Sequence, residues 1–562
     1  MKSYVSHLMR YVQSRSGQRN VRLLLRYLLG FLGMITLFSI LFHVLMGWEG
    51  QEHSWLTGFY WTLTVMSTLG FGDITFHSDF GRLFSMIVLL SGMAFLLVLL
   101  PFTFIEFFYS PWMQAQSEAR APRKLPPHFR NHAVLTHFGP VSMALIQKLN
   151  RCNHPYVIVV RDLAQALELH DQGYSVVLGA PDSPATYENV NVRHAALVTA
   201  TGDEIINTNI AFTVREIAPQ VPIVTLADTD SAEEILKLAG SSRVLRLHEM
   251  MGRSLAHRTI GGDARAHVIG RFEELFIAEA TAAGTPLSGK TLTESRLREL
   301  VGITVVGVWE RGRFESAGPE TRIGPHTVLV LAASNEQLRR YNELFCIYHV
   351  SSAPVIIVGG GRVGRATGEA LTRRGLEFVI VERGEPQSED PPARYVRGDA
   401  AAIATLEQAG IRQAPAVIIT TNNDDANVYL TILCRRLRPD IQIISRATLE
   451  QNVSTLHRAG ADFVMSYASM GANAIFNVLR RADVLMLAEG LTVFRVKVPP
   501  MLAGKTIAES AVRGRTGCSI VALQSKSSLD INPDPHTILS ADAELILIGI
   551  VDDENRFHKA YA

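Results

Sequence analysis

The seven residues Ser67–Asp73, STLGFGD, set Thr-Leu-Gly-Phe-Gly and a carboxylate between two strongly apolar stretches. Tyr27–Met46 (YLLGFLGMITLFSILFHVLM) carries no Asp, Glu, Lys or Arg, and neither does Leu83–Ile105 (LFSMIVLLSGMAFLLVLLPFTFI). A helix of about twenty residues spans about 30 Å, the hydrocarbon thickness of a bilayer. Two transmembrane helices are therefore predicted, over about 27–46 and 83–105. The first stretch is too long for a signal peptide and lacks a small-residue cleavage site. Between them, Trp55–Ser67 (WLTGFYWTLTVMS) is too short to cross. It can dip into the bilayer only where protein or a watery cavity surrounds it. A re-entrant helix over 55–67 followed by an extended segment over 68–72 is the expected arrangement.

Charge orients the pair. Lys2, Arg10, Arg15, Arg19, Arg22 and Arg26 precede the first stretch, and Arg120, Arg123, Lys124 and Arg130 follow the second. The intervening loop holds Glu49, Glu52, Asp73 and Asp79, with no Lys or Arg before Arg82. The positive-inside rule places both termini in the cytoplasm and the loop outside.

Span, short helix, T-x-G-[YF]-G-D and span together resemble the pore module of prokaryotic two-transmembrane potassium channels. The resemblance implies a homotetramer in the plasma (inner) membrane, each chain lending one filter segment, Thr68, Leu69, Gly70, Phe71 and Gly72. Main-chain carbonyls there would replace the water around K⁺. Gly70 and Gly72 permit the backbone angles this requires. The side chains of Leu69 and Phe71 are expected to point away and wedge the filter against the pore helix. Trp61 and Asp73 are expected to support the filter, although Phe71, replacing the commoner Tyr, cannot hydrogen-bond Trp61. Thr64 stands where some relatives carry a buried Glu. Gly92 reads equally as a gating hinge or a helix-packing glycine. Leu97 either lines an inner constriction or faces lipid, and Pro101 removes a helical hydrogen bond and can kink the span.

At 562 residues the chain predicts three to five domains. A net charge of +1 argues against a nucleic-acid partner. Cys152, Cys346, Cys434 and Cys518 form no C-x-x-C pair, and no H-E-x-x-H is present. Ser110–Asn131 is polar, basic and Pro-rich, and reads as a linker.

Beyond it the sequence repeats itself. HAALVTATGDEIINTNIA at His194 matches APAVIITTNNDDANVYL at Ala414. KLAGSSRVLRLHEMMG at Lys237 matches HRAGADFVMSYASMG at His457, and PLSGKTLTES at Pro286 matches MLAGKTIAES at Met501. The pairs lie about 215–220 residues apart. In copy two, VIIVGGGRVGRATGEALTRRGLEFVIVERG gives strand, glycine turn, helix and strand. Gly359, Gly361 and Gly364, with Arg362 and Val363 between them, match the dinucleotide fingerprint, and Glu382 ends the next strand. Glycines allow a pyrophosphate to approach, the helix start attracts its charge and the carboxylate takes ribose hydroxyls. Glu382 would repel a 2′-phosphate, which favours NAD or an ADP-like nucleotide, with Arg383 opposing that preference. Asp399, Thr420 and Asn422 are candidates to complete the pocket or are ordinary caps and turns. The glycines also serve packing alone in some such folds. Copy one places His137, Gly139 and Ser142 at the three positions and Pro140 after the second, so the same fold without an ordinary dinucleotide is predicted, with Asp162 in the acid's place.

Gly284-TPLS-Gly289-Lys290-Thr291 matches a P-loop letter for letter. A P-loop needs a hydrophobic strand before it and a long helix after it. ATAAGTP precedes it, and copy two has Pro499 in place of Gly284 while keeping L-x-G-K-T. ATP hydrolysis is therefore not expected.

The shared Leu-x-Gly-Lys-Thr-[LI]-x-Glu-Ser and the ending PHTILSADAELILIG at Pro535 resemble the C-terminal lobe of regulator-of-K⁺-conductance (RCK) domains. The fold class implied is an α-helical pore module followed by two α/β Rossmann-like RCK domains, each with a small α+β C-terminal lobe. The expected domains are a pore module over 1–109, the linker 110–131, N-lobe 132–262, C-lobe 263–350, N-lobe 351–485 and C-lobe 486–562. Four chains with two RCK domains each supply the eight of a gating ring. The resemblance implies a potassium channel, not an enzyme, gated by a cytosolic nucleotide. Ca²⁺ is a further ligand of the family, with no site assigned. Asp203–Glu204 and Asp424–Asp425 read better as solvated turn or helix-start charges. The alternatives are a regulatory nucleotide-binding subunit of a potassium transport system, a NAD-dependent oxidoreductase and a non-selective cation channel.

Overall fold

The computed structural model describes all residues except 1–14, 100, 103–104, 110–112, 114–120, 260–264, 283, 311–312, 326, 346–352, 386–393, 481–483, 487–490, 526–527 and 562. Part of the expected linker, 110–112 and 114–120, thus lies outside the described residues. The chain divides into two compact units, Met1–Pro122 and Arg123–Ala562.

The first unit is helical. Helix α1 runs Arg15–Trp48, α2 Trp55–Met66 and α3 Asp79–Met93, and α3 continues in wider π-type turns over Ala94–Leu99. Leu25–Trp48 and Asp79–Leu96 are long and apolar enough to cross a membrane. Side chains decide where α2 and α3 begin. Ser54 accepts the Thr57 amide at 3.3 Å, and Ser78 accepts the Gly81 amide at 3.1 Å. Glu49 adds a second cap to α3, taking the amides of His77 and Ser78 at 2.9 and 3.0 Å. A carboxylate is favoured there by the helix dipole. Phe42, Trp61, Met66, Phe76, Phe84 and Val88 form the core of this unit. Leu28, Leu29, Leu32 and Leu37 on α1 stay exposed, as side chains facing hydrocarbon do.

The second unit holds four sheets. In copy one, β1 (Ala133–Leu135), β2 (Tyr156–Val160), β3 (Val176–Leu178), β4 (Leu197–Ala200), β5 (Ile223–Leu226) and β6 (Arg243–Leu245) form a sheet ordered 3-2-1-4-5-6. All its pairings are parallel. That is the doubly wound dinucleotide order. Strands β7 (His267–Phe272), β8 (Leu275–Thr281), β9 (Thr304–Glu310), β10 (Arg313–Ser316) and β11 (Val328–Ala333) form a smaller antiparallel sheet ordered 10-9-11-8-7.

Copy two repeats both. Strands β12 (Val355–Val358), β13 (Phe378–Glu382), β14 (Tyr395–Arg397), β15 (Ala416–Ile419), β16 (Gln442–Ala447) and β17 (Phe463–Ser466) are ordered 14-13-12-15-16-17. Strands β18 (Val484–Met486), β19 (Leu491–Lys497), β20 (Ser519–Gln524), β21 (Leu529–Ile531) and β22 (Glu544–Ile550) are ordered 18-19-22-20-21. VIIV of β12 is buried at every position, as a central parallel strand covered on both faces must be.

The small lobes explain the P-loop match. Thr291 and Glu294 form a capping box, the Thr291 amide donating to Glu294 at 2.8 Å and the Glu294 amide to Thr291 at 3.2 Å. Thr506 and Glu509 repeat it at 2.9 and 3.2 Å. Gly289 and Gly504 supply the left-handed turn before each box, at φ +89° and +81°. The helices that follow, Leu292–Ser295 and Ile507–Ser510, are four residues long. The repeated motif is a turn with a cap, not a phosphate cradle.

The two copies exchange helices. Four are needed to describe it: α4 (Pro140–Arg151) after β1, α5 (Leu247–His257) after β6, α6 (Arg362–Arg373) after β12 and α7 (Tyr467–Arg480) after β17. Helix α5 of copy one packs on α6 of copy two, and α7 of copy two packs on α4 of copy one. One core accordingly joins Met251, Leu255 and Ala256 to Val363, Ala370 and Leu371, and another joins Leu145 and Leu149 to Ala472, Ile475 and Phe476. Each fully buried Leu or Phe stabilises by about 1.5–3 kcal/mol, so the exchange binds the halves tightly. Matching glycines sit at the crossings. A Cβ on Gly252 would lie 2.7 Å from the main chain of Ala366, and one on Gly471 would lie 2.9 Å from Val141 and Leu247 side chains. Gly252→Val is expected to destabilise the protein by about 1–3 kcal/mol through overpacking against main chain that cannot withdraw. Thermal unfolding of the full-length protein checks this, and an unchanged midpoint would contradict the crossing.

Candidate functional site: a pore segment and a dinucleotide loop

In the pore segment Thr68, Gly70 and Gly72 have φ of +63°, +44° and +74°, and Leu69 and Phe71 between them do not share the left-handed region. That alternation turns successive peptide planes so that neighbouring carbonyls face one side, which an extended chain cannot do. Two glycines adopt it freely, while Thr68 is held there at a cost of the order of 1 kcal/mol or more. The amides of Leu69 and Gly70 donate back to the Thr64 carbonyl at the end of α2, at 3.0 and 3.1 Å. Thr64 itself donates its hydroxyl to the Trp61 carbonyl at 2.9 Å.

Trp61 is buried among Phe42, Phe76 and Phe84. Its indole N–H donates to the Ile74 carbonyl at 3.2 Å, fixing the chain just beyond the segment. Asp73 accepts the Tyr60 hydroxyl at 3.1 Å. Sequence reasoning missed Tyr60, and the only signal for it was an aromatic one position before Trp61. The expected wedge is not found within the chain. Leu69 and Phe71 are 62% and 66% exposed.

Gly92 is buried against the last residue of α2. A Cβ there would fall 2.4 Å from Met66 Cα and 2.5 Å from its carbonyl oxygen. Its position is thus a close helix crossing, two residues before the wider turns of Ala94–Leu99 begin. Leu97 lies within those turns, and Pro101 is in helical backbone with its side chain exposed.

The second constellation surrounds the loop between β12 and α6. Gly359 has φ +103°, and a Cβ there would sit 3.1 Å from Thr420 Oγ1. A Cβ on Gly364 would fall 1.9 Å from the Gly359 carbonyl oxygen, so the third glycine lets the helix rest on the strand. Gly361 differs. It starts α6, and a Cβ built on it meets nothing within 4 Å. The first and third glycines answer to packing, and the second answers to space over a helix start with unsatisfied N–H donors. A pyrophosphate fits that cradle.

Glu382, at the end of β13, sits beside it. Its carboxylate accepts the amides of Gly360, Arg383 and Gly384 at 2.5, 2.8 and 3.1 Å. Partial burial pushes its pKa up, and the three amides together bring it below the ordinary carboxylate range. It is therefore an anion whose remaining lone pairs suit ribose hydroxyls and oppose a phosphate. Arg383 reaches Asp399 at 2.9 Å, and Asp399 also accepts the Ala401 amide at 2.9 Å. Those bonds hold Asp399 ionised and leave Arg383 turned away from the loop glycines.

Other candidates play structural parts. Thr420 is buried and gives its hydroxyl to the carbonyls of Val358 and Gly359, at 3.0 and 2.9 Å, bracing the loop from behind. Val363 lies in the core. Asn422 is exposed, with its carbonyl accepting from Thr448 at 3.2 Å. Arg362 pairs with Asp228 of copy one. The Asp424 carboxylate is taken by the amides of Thr448 and Leu449 and by Asn452, and Asp203 caps its own helix through the Ile205 amide. Burial pushes the Cys434 and Cys518 thiols up to about 12, which keeps them protonated.

In copy one the equivalent loop lacks the features of a dinucleotide cradle. Ser142 donates its hydroxyl to the His137 carbonyl at 2.6 Å, and Pro140 opens α4 with no N–H. Asp162 does not take the place of Glu382. It lies two residues beyond β2 and caps the next helix through the Gln165 amide at 2.8 Å.

Comparison with known proteins agrees with both constellations. Residues 30–108 match the ion channel family. Residues 134–247 and 355–467 match the TrkA-N domain, and 277–345 and 491–561 match the TrkA-C domain. A solved structure described as the GsuK channel bound to NAD is 40% identical, with 96% of this chain and 99% of that one aligned at a TM-score of 0.60. Potassium channel protein 1 of Methanocaldococcus jannaschii is 25% identical over 329 residues, 56% of this chain and 97% of the relative. A Trk system potassium uptake protein TrkA homolog of Pyrococcus abyssi is 31% identical over 210 residues, 35% of this chain and 91% of the relative. With a pore module and two TrkA-N/TrkA-C pairs in one polypeptide, the chain belongs to the potassium channels that carry tandem RCK domains.

Proposed function

We propose that four copies assemble around the 68–72 segment to form a K⁺-selective pore in the plasma membrane, with both termini cytoplasmic, gated by a nucleotide at copy two. The alternating backbone at Thr68, Gly70 and Gly72 carries the first part of this reading. One strand of inward carbonyls cannot surround an ion, and four can. In such an assembly Leu69 and Phe71, exposed on the single chain, find their packing against neighbouring copies. Gly92 or the wider turns after it serve as the point where α3 bends, and Leu97 and Pro101 follow on the moving side.

The open cradle over Gly361 beside the anionic Glu382 carries the second part. NAD or an ADP-like nucleotide matches it, and a 2′-phosphorylated dinucleotide does not. Four chains place eight RCK domains in one ring. The ligand gates only through a difference in affinity between two ring conformations. No Ca²⁺ role is assigned to Asp203 or Asp424, whose carboxylates are taken up by main-chain amides.

Two measurements test these parts separately. In lipid bilayers, bi-ionic K⁺/Na⁺ reversal potentials are expected to show strong preference for K⁺, and Gly70→Ala is expected to abolish selective current. Equal permeability of the two ions in the unaltered channel would overturn the filter assignment. In titrations of the full-length protein, NAD and ADP are expected to bind more tightly than NADP. Gly361→Asp is expected to weaken binding at least tenfold, because it puts a carboxylate where the pyrophosphate lies. Unchanged affinity in that variant would remove the loop from the site.

A further inference from the structure

Arg362 begins α6, immediately after Gly361, yet its guanidinium does not stay with its own loop. It pairs with Asp228, which follows β5 of copy one and lies 134 residues away in the chain. Asp228 Oδ1 is also 3.6 Å from His248 Nδ1, and the Asp228 amide donates to Glu204 at 2.5 Å. The pair lines a cleft of about 330 Å³ built from both copies. Copy one supplies Gly139, Pro140 and Asp228, and copy two supplies Arg362, Arg446 and Tyr467. Arg446 is held over the Tyr467 ring at 4.9 Å.

The repeat makes this contact asymmetric. Pro140 stands at the position of Arg362, and Thr448 stands at that of Asp228. Neither carries a charge, so the duplicated fold has kept one ion pair where its symmetry allows two. The retained cation is rooted at the start of the helix whose loop keeps its glycines. The retained anion belongs to the copy whose loop has lost them.

From this placement we infer that Arg362 is a phosphate-reading residue held in reserve by Asp228, so that a nucleotide phosphate at the Gly361 cradle competes with Asp228 for its guanidinium. The inference rests on the nucleotide reading above and adds a coupling between copies to it. The Arg362 side chain is 61% exposed and that of Asp228 33%. An ion pair so open to water is weak and readily exchanged. A doubly charged phosphate group on the same helix start is the stronger partner, because charge-assisted bonds to phosphate add to the field of the helix terminus. Binding then releases Asp228 and alters the seam between copies.

The test uses isothermal titration of the full-length protein with ADP and, as a phosphate-free probe, adenosine. Asp228→Asn is expected to tighten ADP binding about two- to fivefold, the range of an exposed ion pair. Arg362→Gln is expected to weaken it, and the double variant is expected to equal Arg362→Gln alone. Adenosine affinity is expected to stay the same in all three. Thermal midpoints report folding, and Asp228→Ser replaces Asp228→Asn should the latter unfold. If Gly361→Asp abolishes ADP binding while Asp228→Asn binds as the unaltered protein does, the site stands and the competition is refuted. An adenosine shift equal to the ADP shift refutes it too, since the effect is then not electrostatic. If the unaltered protein binds no ADP, the nucleotide reading falls and takes this inference with it.

Discussion

Water must be stripped from an ion before a narrow pore can pass it, and only oxygen atoms already aimed at the axis can replace that water. The main chain aims its carbonyls one way only if successive residues alternate in handedness, and L-residues resist this. Thr68, Gly70 and Gly72 take left-handed angles at alternate positions, as the proposed filter requires, braced by the Thr64 carbonyl behind them and by Trp61 and Tyr60 beside them. The rest of the membrane unit follows from holding that segment still. Helix α2 ends where its carbonyl is needed, and α3 comes close enough that only a glycine fits opposite Met66.

The second unit solves a different problem, how two weakly similar halves act as one body. It does so by exchange. Helices α5 and α7 each reach across and complete the core of the other copy. Movement at one nucleotide loop therefore cannot stay local, because α6, which starts at that loop, is packed under a helix of the other copy. Copy one has lost the chemistry of its loop but not the geometry of its crossing, which separates the residues needed for binding from those needed for the seam.

Much of this was legible in the sequence, and the pattern of what was not has a physical basis. The two spans, the short helix and the filter motif are local, set by hydropathy and by glycines a few residues apart. The Rossmann-like fold of copy two was visible in strand, glycine turn, helix and strand, and that of copy one in its repeat of copy two. The P-loop match could be set aside because its second copy drops Gly284 yet keeps the rest, and the structure supplies the reason in a repeated capping box. What escaped was direction. Thr420, at the end of β15, turns inward to brace the loop, and Asp162 folds back on its own helix. Tyr60 reaches Asp73 because α2 and the filter turn fold back together, and Arg362 reaches Asp228 because two copies meet. No spacing rule encodes contacts across 134 residues. The exposure of Leu69 and Phe71 on a single chain was likewise not legible, because a motif carries no information about which surface covers its side chains.

The reciprocal crossing at Gly252 and Gly471 makes the cytoplasmic region indivisible. Cutting the chain between the copies would bare an oily helix flank on each fragment at once, and each would then seek the other or aggregate. Two sequences that drift apart freely on their outer faces are thus tied residue for residue along this hidden seam. A change on one side has to be answered within the same molecule, by a gene that is in effect its own binding partner.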